Sequence, residues 1–416
     1  MSTVVLGAGV IGTASAWYLN QLGEDVTVVE RREAAGMETS WGNGGVLHAS
    51  EIEPWSQPGM PRNILRWMGR EDAPLLLRYG AIPRVWRWGL RFARNSTPAR
   101  FRRNCEANLA LALLSLQSLH EIREATGIAF DSVASGVLKI YRSAAALERS
   151  AAAFGPLVPL GLQFSRLDGP ACVGVEPALA PVGETLAGGL HFPRDEVGDC
   201  NAFTQGLAAA AAARGVRFQY GTTLLGIETA QGRVVAVRTS AGPLPATRVV
   251  AALGSYTGPQ LRTLGLDVPI EPVKGISITF PRGGWNRAPR MPVVDDQYIF
   301  GLVPLGQRIR ISGSAEITGF DTTPADSRCQ AILANATRTF PDLSHVFDRS
   351  QAIFWAGLRP VTPTGTPLIG ETRVKGLWIN AGHGHLGWTM ACGSGRVLAN
   401  LVAGRPAGVK LVPFST

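Results

Sequence analysis

The chain has 416 residues, too many for one ordinary hydrophobic core, since single cores stop growing near about 250–300 residues, so two lobes are expected. Its 45% hydrophobic and 17% charged residues exclude a disordered chain, and no run reaches the roughly 18 consecutive apolar residues of a membrane span. The net charge of +9 is concentrated between Arg62 and Arg103, where arginines alternate with Ile64, Leu65, Trp67, Trp86, Trp88 and Phe92; this mixture differs from a phosphate-tracking stripe, and no nucleic-acid partner is expected.

The chain opens directly on an apolar run, Thr3–Leu6, with no basic region or small-residue cleavage site before it, so cytoplasmic residence is the expectation. The run leads into Gly7-x-Gly9-x-x-Gly12 and a helical stretch through Leu22. Gly7 permits the tight turn, Gly9 lets the backbone approach a pyrophosphate, and Gly12 lets the helix pack on the strand; Val10 and Ile11 open the helix whose free N–H groups face the phosphates. A second strand, Asp25–Val29, ends in Glu30 at the interval expected of the acid that holds an adenosine ribose, with Arg31 beside it. An acid there disfavours a phosphorylated ribose and leaves FAD and NAD. The following segment, Arg31–Gly45, is a long polar, glycine-rich loop rather than another strand–helix unit. Such a loop suits the wrapping of an extended dinucleotide by backbone amides and by Thr39, Ser40, Asn43, Gly44 and Gly45, and it favours FAD.

The basic, Trp-rich stretch 62–103 reads either as helices docking on an anionic membrane surface, indoles at the interface and arginines toward phosphates, or as surface helices with inward Trp and solvated Arg. Further on, a helix over Cys200–Arg214 precedes strand patterns at 216–218, 222–227, 233–238 and 248–253, broken at Gly254. Near the C-terminus, a strand over 376–380 meets a turn through Gly382, Gly384 and Gly387, and a helix begins near Trp388. The N–H groups and positive dipole end of that helix could stabilise negative charge on a flavin edge brought close by the glycines. The five cysteines are scattered, with no CxxC pair and no His at ligand spacing; no metal site is expected, and none is placed for covalent flavin attachment.

These motifs, together with Glu38-Thr39-Ser40, Pro54-Trp55, Glu176-Pro177-Ala178-Leu179, Asp195–Cys200, Ala252–Tyr256, Gly357-Leu358-Arg359-Pro360 and Gly382–Met390, resemble the D-amino acid oxidase superfamily, and within it the bacterial D-amino acid dehydrogenases, over nearly the whole chain. The resemblance implies a mixed α/β protein. It comprises a Rossmann-like FAD-binding domain (1–52, 196–270 and 346–416) and a discontinuous substrate domain on a mixed, largely antiparallel sheet (53–195 and 271–345). It implies non-covalent FAD, with Leu47, Leu224, Gly254, Gly384, His385, Leu386, Gly387, Trp388 and Thr389 joining the glycine-loop residues around it. It also implies removal of a hydride from the α-carbon of a D-amino acid, followed by hydrolysis of the imino acid, with electrons passed to a quinone or other non-oxygen acceptor.

By position, Arg359 matches the arginine that grips the substrate carboxylate in two places, a geometry lysine cannot reproduce. Tyr298 falls in the segment that lines the substrate side in relatives, and could donate to the same carboxylate or simply pack. His383 is assigned a place in the site without a chemical role; His48 and His385 are alternative bases, and a neutral amine entering the site would need none. His48, Glu51 and Glu53 depart from the best-known dehydrogenase pattern and leave D-alanine, D-proline and cis-4-hydroxy-D-proline open as substrates. An oxidase of the glycine or sarcosine type, and a scaffold that binds flavin without turnover, are the competing readings. A peripheral position on the inner face of the plasma membrane goes with the membrane reading of 62–103.

Overall fold

In the computed structural model, which describes residues 2–70 and 73–414, the first apolar run forms the strand Ser2–Leu6 and turns at Gly7 into the helix Val10–Gln21. Gly7 has φ +97°, and a Cβ on Gly12 would stand 1.9 Å from the Gly7 carbonyl oxygen, so both positions require glycine. The strand Asp25–Val29 runs parallel to the first. Segments from far along the chain complete a six-stranded sheet among the described residues, in the order 368–371, 377–381, 248–251, 2–6, 25–29 and 217–219, every pairing parallel except the first.

Alternation along these strands decides what covers each face. Val5, Val28 and Val250 face the helices Val10–Gln21, Cys200–Ala213 and Gly387–Val402, in a core that includes Trp17, Phe203 and Trp388. Val4, Leu6, Val249 and Ala251 face the other way, onto Val234 and Val237 of a three-stranded antiparallel sheet. Strands continue to either side of Ser2–Leu6, so a crevice opens at their carboxyl ends, where open α/β sheets bind ligands.

The second lobe is a nine-stranded mixed sheet in the order 353–361, 271–281, 308–317, 300–305, 293–295, 137–141, 188–192 and 165–167, with Leu75–Leu77 pairing beside 308–317. Its pairings are antiparallel except for two, 293–295 with 137–141 and 75–77 with 308–317. Ile278, Phe280, Ile309, Ile311 and Phe340 form its core with the helix Asp326–Thr339.

Two parts of the chain lie across the expected lobe boundaries. Ile353–Val361 hydrogen-bonds along its length to Glu271–Pro281, although a boundary at 346 assigns it to the first lobe. The helix Pro98–Thr126, assigned to the second lobe, buries Leu111, Leu116, Leu119 and Ile122 in the first lobe's core. The same helix buries Cys105, Leu109 and Ala112 against Tyr141, Leu190 and Phe192 of the second lobe, so it serves both cores.

The basic stretch forms the short helices Met60–Trp67 and Ile82–Asn95. Val85 and Phe92 turn inward, and Trp88 donates its indole N–H to the Val361 carbonyl at 3.1 Å, while Leu65, Ile82, Trp86 and Leu90 are exposed. No helix among the described residues is long and apolar enough to cross a membrane.

Candidate active site

The carboxyl ends of the first-lobe strands open into a cavity of about 870 Å³ that continues onto the face of the second sheet. That is near the upper end of the roughly 300–1,000 Å³ typical of small-molecule sites, enough for an extended dinucleotide and a small substrate together. Its walls include Gly7, Gly9, Val10, Ile11, Glu30, Arg31, Thr39, Ser40, Asn43, Gly44, Leu224 and Gly254 at one end, and His383, Gly384, His385, Gly387, Trp388 and Arg359 toward the other.

At the first end the polar groups are organised before any ligand enters. The Glu30 carboxylate accepts from the Ala8 amide at 2.8 Å and from the Arg32 amide at 2.9 Å, one oxygen each, leaving further acceptor capacity on both. Arg31 pairs with Glu38 at 2.7 Å and lies over the Tyr256 ring at 4.3 Å. The loop side chains expected to wrap the dinucleotide are spent first on the loop itself. Ser40 Oγ accepts from the Val10 amide at 3.1 Å, Thr39 donates to the Leu358 carbonyl at 3.0 Å, and Asn43 Oδ1 accepts from the Gly45 amide at 3.0 Å. Wrapping therefore falls mainly to backbone.

Several expected residues stand outside the lining. Gly12 and Gly45 shape the backbone behind it. Leu47 and Leu386 are fully buried core residues, and Thr389 accepts from the His48 amide at 3.1 Å, so these three support the wall and do not form it. Trp388 reaches the cavity but is anchored among Phe130 and Phe203, its indole N–H donating to the Gly198 carbonyl at 3.1 Å. Tyr298 is a correction: it sits in the turn before strand 300–305, its ring between Arg142 at 4.5 Å and Arg338 at 5.3 Å, and it does not line the cavity. Strand alternation does not extend through a turn, and the ring is recruited by the two guanidiniums instead.

Both ring nitrogens of His383 are buried without a hydrogen-bond partner, and burial holds its pKa down to about 3, so the ring is neutral. His48 is likewise held to about 4, chiefly by burial, and its Nδ1 is unpartnered. His385 hydrogen-bonds the Glu51 carbonyl at 2.8 Å and stacks on Trp55 with ring centroids 5.5 Å apart.

Arg359 extends from strand 353–361 over Gly275 and donates to the Ser314 carbonyl at 2.8 Å. Among the described residues no carboxylate lies within ion-pair distance of it, and burial lowers its pKa from 12.5 to about 10. It is charged at neutral pH, with no counter-ion among the described residues. Lys274, by contrast, is paired with Asp321 at 3.0 Å and Glu316 at 3.7 Å.

Sequence reading missed Lys139, Asp296, Ser314 and Trp355 on the cavity wall. Lys139 had a signal: a charge inside the otherwise apolar Val137–Tyr141 must meet a partner if that strand is buried. Its ammonium donates to Glu51 at 3.0 Å, with Asp296 at 4.0 Å. Burial, the largest single influence, works to raise the Glu51 carboxyl, but the Lys139 ammonium together with His48 and His385 holds the group below its ordinary value.

A doubly wound sheet with glycine turn and ribose-position acid, joined through one cavity to a second sheet that presents an arginine unpaired with any described carboxylate, defines a two-lobed, dinucleotide-dependent enzyme. Residues 2–401 match the family described as FAD dependent oxidoreductase, and the chain belongs to that family. It is 45% identical over 412 residues, covering 99% of this chain and 97% of the relative, to a D-amino acid dehydrogenase of Paramagnetospirillum magneticum. It is 44% identical over 405 residues, covering 97% of this chain and 92% of the relative, to one of Cereibacter sphaeroides. In fold it is similar to L-proline dehydrogenase from P. horikoshii, with TM-score 0.78 at 19% identity, covering 99% of this chain and 95% of that one. FAD is the cofactor, and the residues present fit it: a glycine turn without room for a Cβ, an acid with spare acceptor capacity, and a cavity of about 870 Å³ that joins them to Arg359.

Proposed function

We propose that the enzyme oxidatively deaminates D-amino acids, converting each to an imino acid that hydrolyses to a 2-oxo acid and ammonia when the amine is primary. The observation that carries this reading is Arg359, a half-buried cation facing the cavity with no carboxylate among the described residues to neutralise it. A guanidinium in that state binds a ligand carboxylate by paired, charge-assisted hydrogen bonds. FAD, when bound, supplies the hydride acceptor; the glycine turn at Gly7–Gly12, Glu30, the 39–44 backbone and the Gly384–Trp388 segment would hold it.

The chain's own contribution is placement. Arg359 fixes the carboxylate end, Trp55 and Trp355 exclude water around it, and burial keeps His48 and His383 neutral, so neither competes with Arg359 as a cation. No base is assigned. The test is anaerobic mixing of the yellow protein with paired D- and L-amino acids, D-proline and cis-4-hydroxy-D-proline among them, while following flavin absorbance. Bleaching by D-amino acids that Arg359→Ala abolishes is the expected result; no bleaching by any amine would remove the reading.

Electrons pass, on this reading, to a quinone or another acceptor other than oxygen, and slow recolouring in air is the expected companion result. The surface of 62–103 supports peripheral membrane contact. Ile82, Trp86 and Leu90 recur at four-residue spacing on the exposed side of helix Ile82–Asn95, among arginines. Flotation with anionic vesicles, lost in Trp86→Glu and in high salt, is expected; no flotation of the native protein would refute the contact.

A further inference from the structure

Strand 308–317 carries an irregularity where it passes the candidate carboxylate site. Its register with 271–281 runs from Ile276↔Gly313 to Lys274↔Glu316, so Gly275 alone faces Ser314 and Ala315. This is a β-bulge, and Ser314 adopts φ +67°, a left-handed conformation uncommon for a residue with a side chain. A bulge re-aims the backbone, and here the carbonyl of Ser314 accepts from Arg359 Nη1 at 2.8 Å.

Two features keep this arrangement in place. The Ser314 hydroxyl accepts from Arg328 Nη2 at 2.8 Å and Nε at 3.2 Å, and Arg328, itself buried, is held by the fully buried Glu316 at 3.3 Å. Gly275 leaves the space the Arg359 guanidinium occupies, since a Cβ there would stand 2.4 Å from Arg359 Cζ. Arg328 thus has an identified partner for its charge and Arg359 has none among the described residues, though the two guanidiniums bond the same serine.

We infer that the Ser314 bulge, clamped by Arg328 and opened by Gly275, is the device that presents Arg359 to a ligand carboxylate. Ser314 and Arg328 are accordingly positioning residues for substrate binding, acting through Arg359. The inference rests on the proposed carboxylate-binding role of that arginine. One guanidinium N–H is spent on the bulge carbonyl, which fixes the plane of the group; the remaining four are free to meet a carboxylate edge-on. The left-handed conformation of Ser314 has a cost that the Arg328 clamp offsets, so removing the hydroxyl frees the backbone to relax and the carbonyl to turn away.

The test uses the FAD-loaded enzyme and benzoate, a carboxylate with no α-hydrogen to transfer, titrated while flavin absorbance is followed. Ser314→Ala, which loses the clamp but keeps the unfavourable backbone, is expected to weaken benzoate about tenfold. Ser314→Gly also loses the clamp but adopts φ above zero freely, and is expected to recover affinity to within roughly threefold of the native enzyme. Gly275→Ala, a second route to the same displacement, is expected to weaken benzoate by at least about tenfold with flavin still bound. Equal losses in Ser314→Ala and Ser314→Gly would show a plain side-chain contact and overturn the inference, as would native affinity in Ser314→Ala. Arg359→Met run alongside separates the two levels: benzoate binding unchanged in that variant defeats the carboxylate reading itself, whereas binding lost there but intact in Ser314→Ala defeats only the bulge.

Discussion

Replacing Arg359 by methionine should make the ligand-free protein more stable while destroying its ability to bind a carboxylate. Burial lowers the Arg359 pKa from 12.5 to about 10. At about 1.4 kcal/mol per pKa unit this corresponds to roughly 3 kcal/mol against the charged form. Methionine removes that cost and fills much of the same volume, but orphans the Ser314 carbonyl, a loss of about 1 kcal/mol, and the cavity lets water soften the rest. The net expectation is a gain of about 1–2 kcal/mol, or on the order of 1–2 °C in Tm for a chain of this length. The assay is thermal unfolding of holoenzyme at one scan rate, with and without benzoate. Native protein should gain Tm with benzoate, and Arg359→Met should start higher and gain nothing. A loss of about 3–5 kcal/mol on mutation, the signature of breaking a buried ion pair, would mean that Arg359 has a protein counter-ion, and the reasoning would fail.

Gly12→Ala places a Cβ 1.9 Å from the Gly7 carbonyl oxygen, and is expected to yield folded but colourless protein, checked by circular dichroism beside flavin absorbance. Asp195 is 2% exposed, and burial, only partly opposed by the hydrogen bond it accepts from the Ala49 amide, raises its pKa to about 7. With the folded value above the unfolded one, its contribution to stability is complete below about pH 4 and is lost as pH rises through 7; Asp195→Asn should therefore raise Tm at pH 8 by more than at pH 5, and an equal or inverted difference would refute the assignment.

What was legible in the sequence follows from how local each interaction is. The turn at Gly7–Gly12 and the acid at Glu30 were readable because a strand, a turn, a helix and a second strand in unbroken succession leave one geometry, and the glycines mark where backbone must approach backbone. Arg359 was readable from its motif, yet its decisive property, the absence of a counter-ion among the described residues, depends on which strands lie across the sheet from it. The Ser314 bulge is the extreme case. Nothing in Ile311-Ser312-Gly313-Ser314-Ala315 signals a left-handed residue, since the conformation is set by pairing with Gly275 and by a clamp from Arg328 on a separate helix.

The same distinction explains the misassigned residues. Tyr298 lies next to a strand whose alternate residues do face the cavity, but it is in the preceding turn, where two nearby guanidiniums decide the ring's position. Ser40, Thr39 and Asn43 were rightly placed at the cavity, but each polar side chain serves a backbone group closer than any ligand. In a loop buried between two lobes, unpaired amides and carbonyls must be satisfied first. Polarity in such a loop therefore signals a shaped backbone as much as a ligand contact. The residue left to meet a ligand is the one, Arg359, whose charge the fold encloses with a single carbonyl and no carboxylate among the described residues.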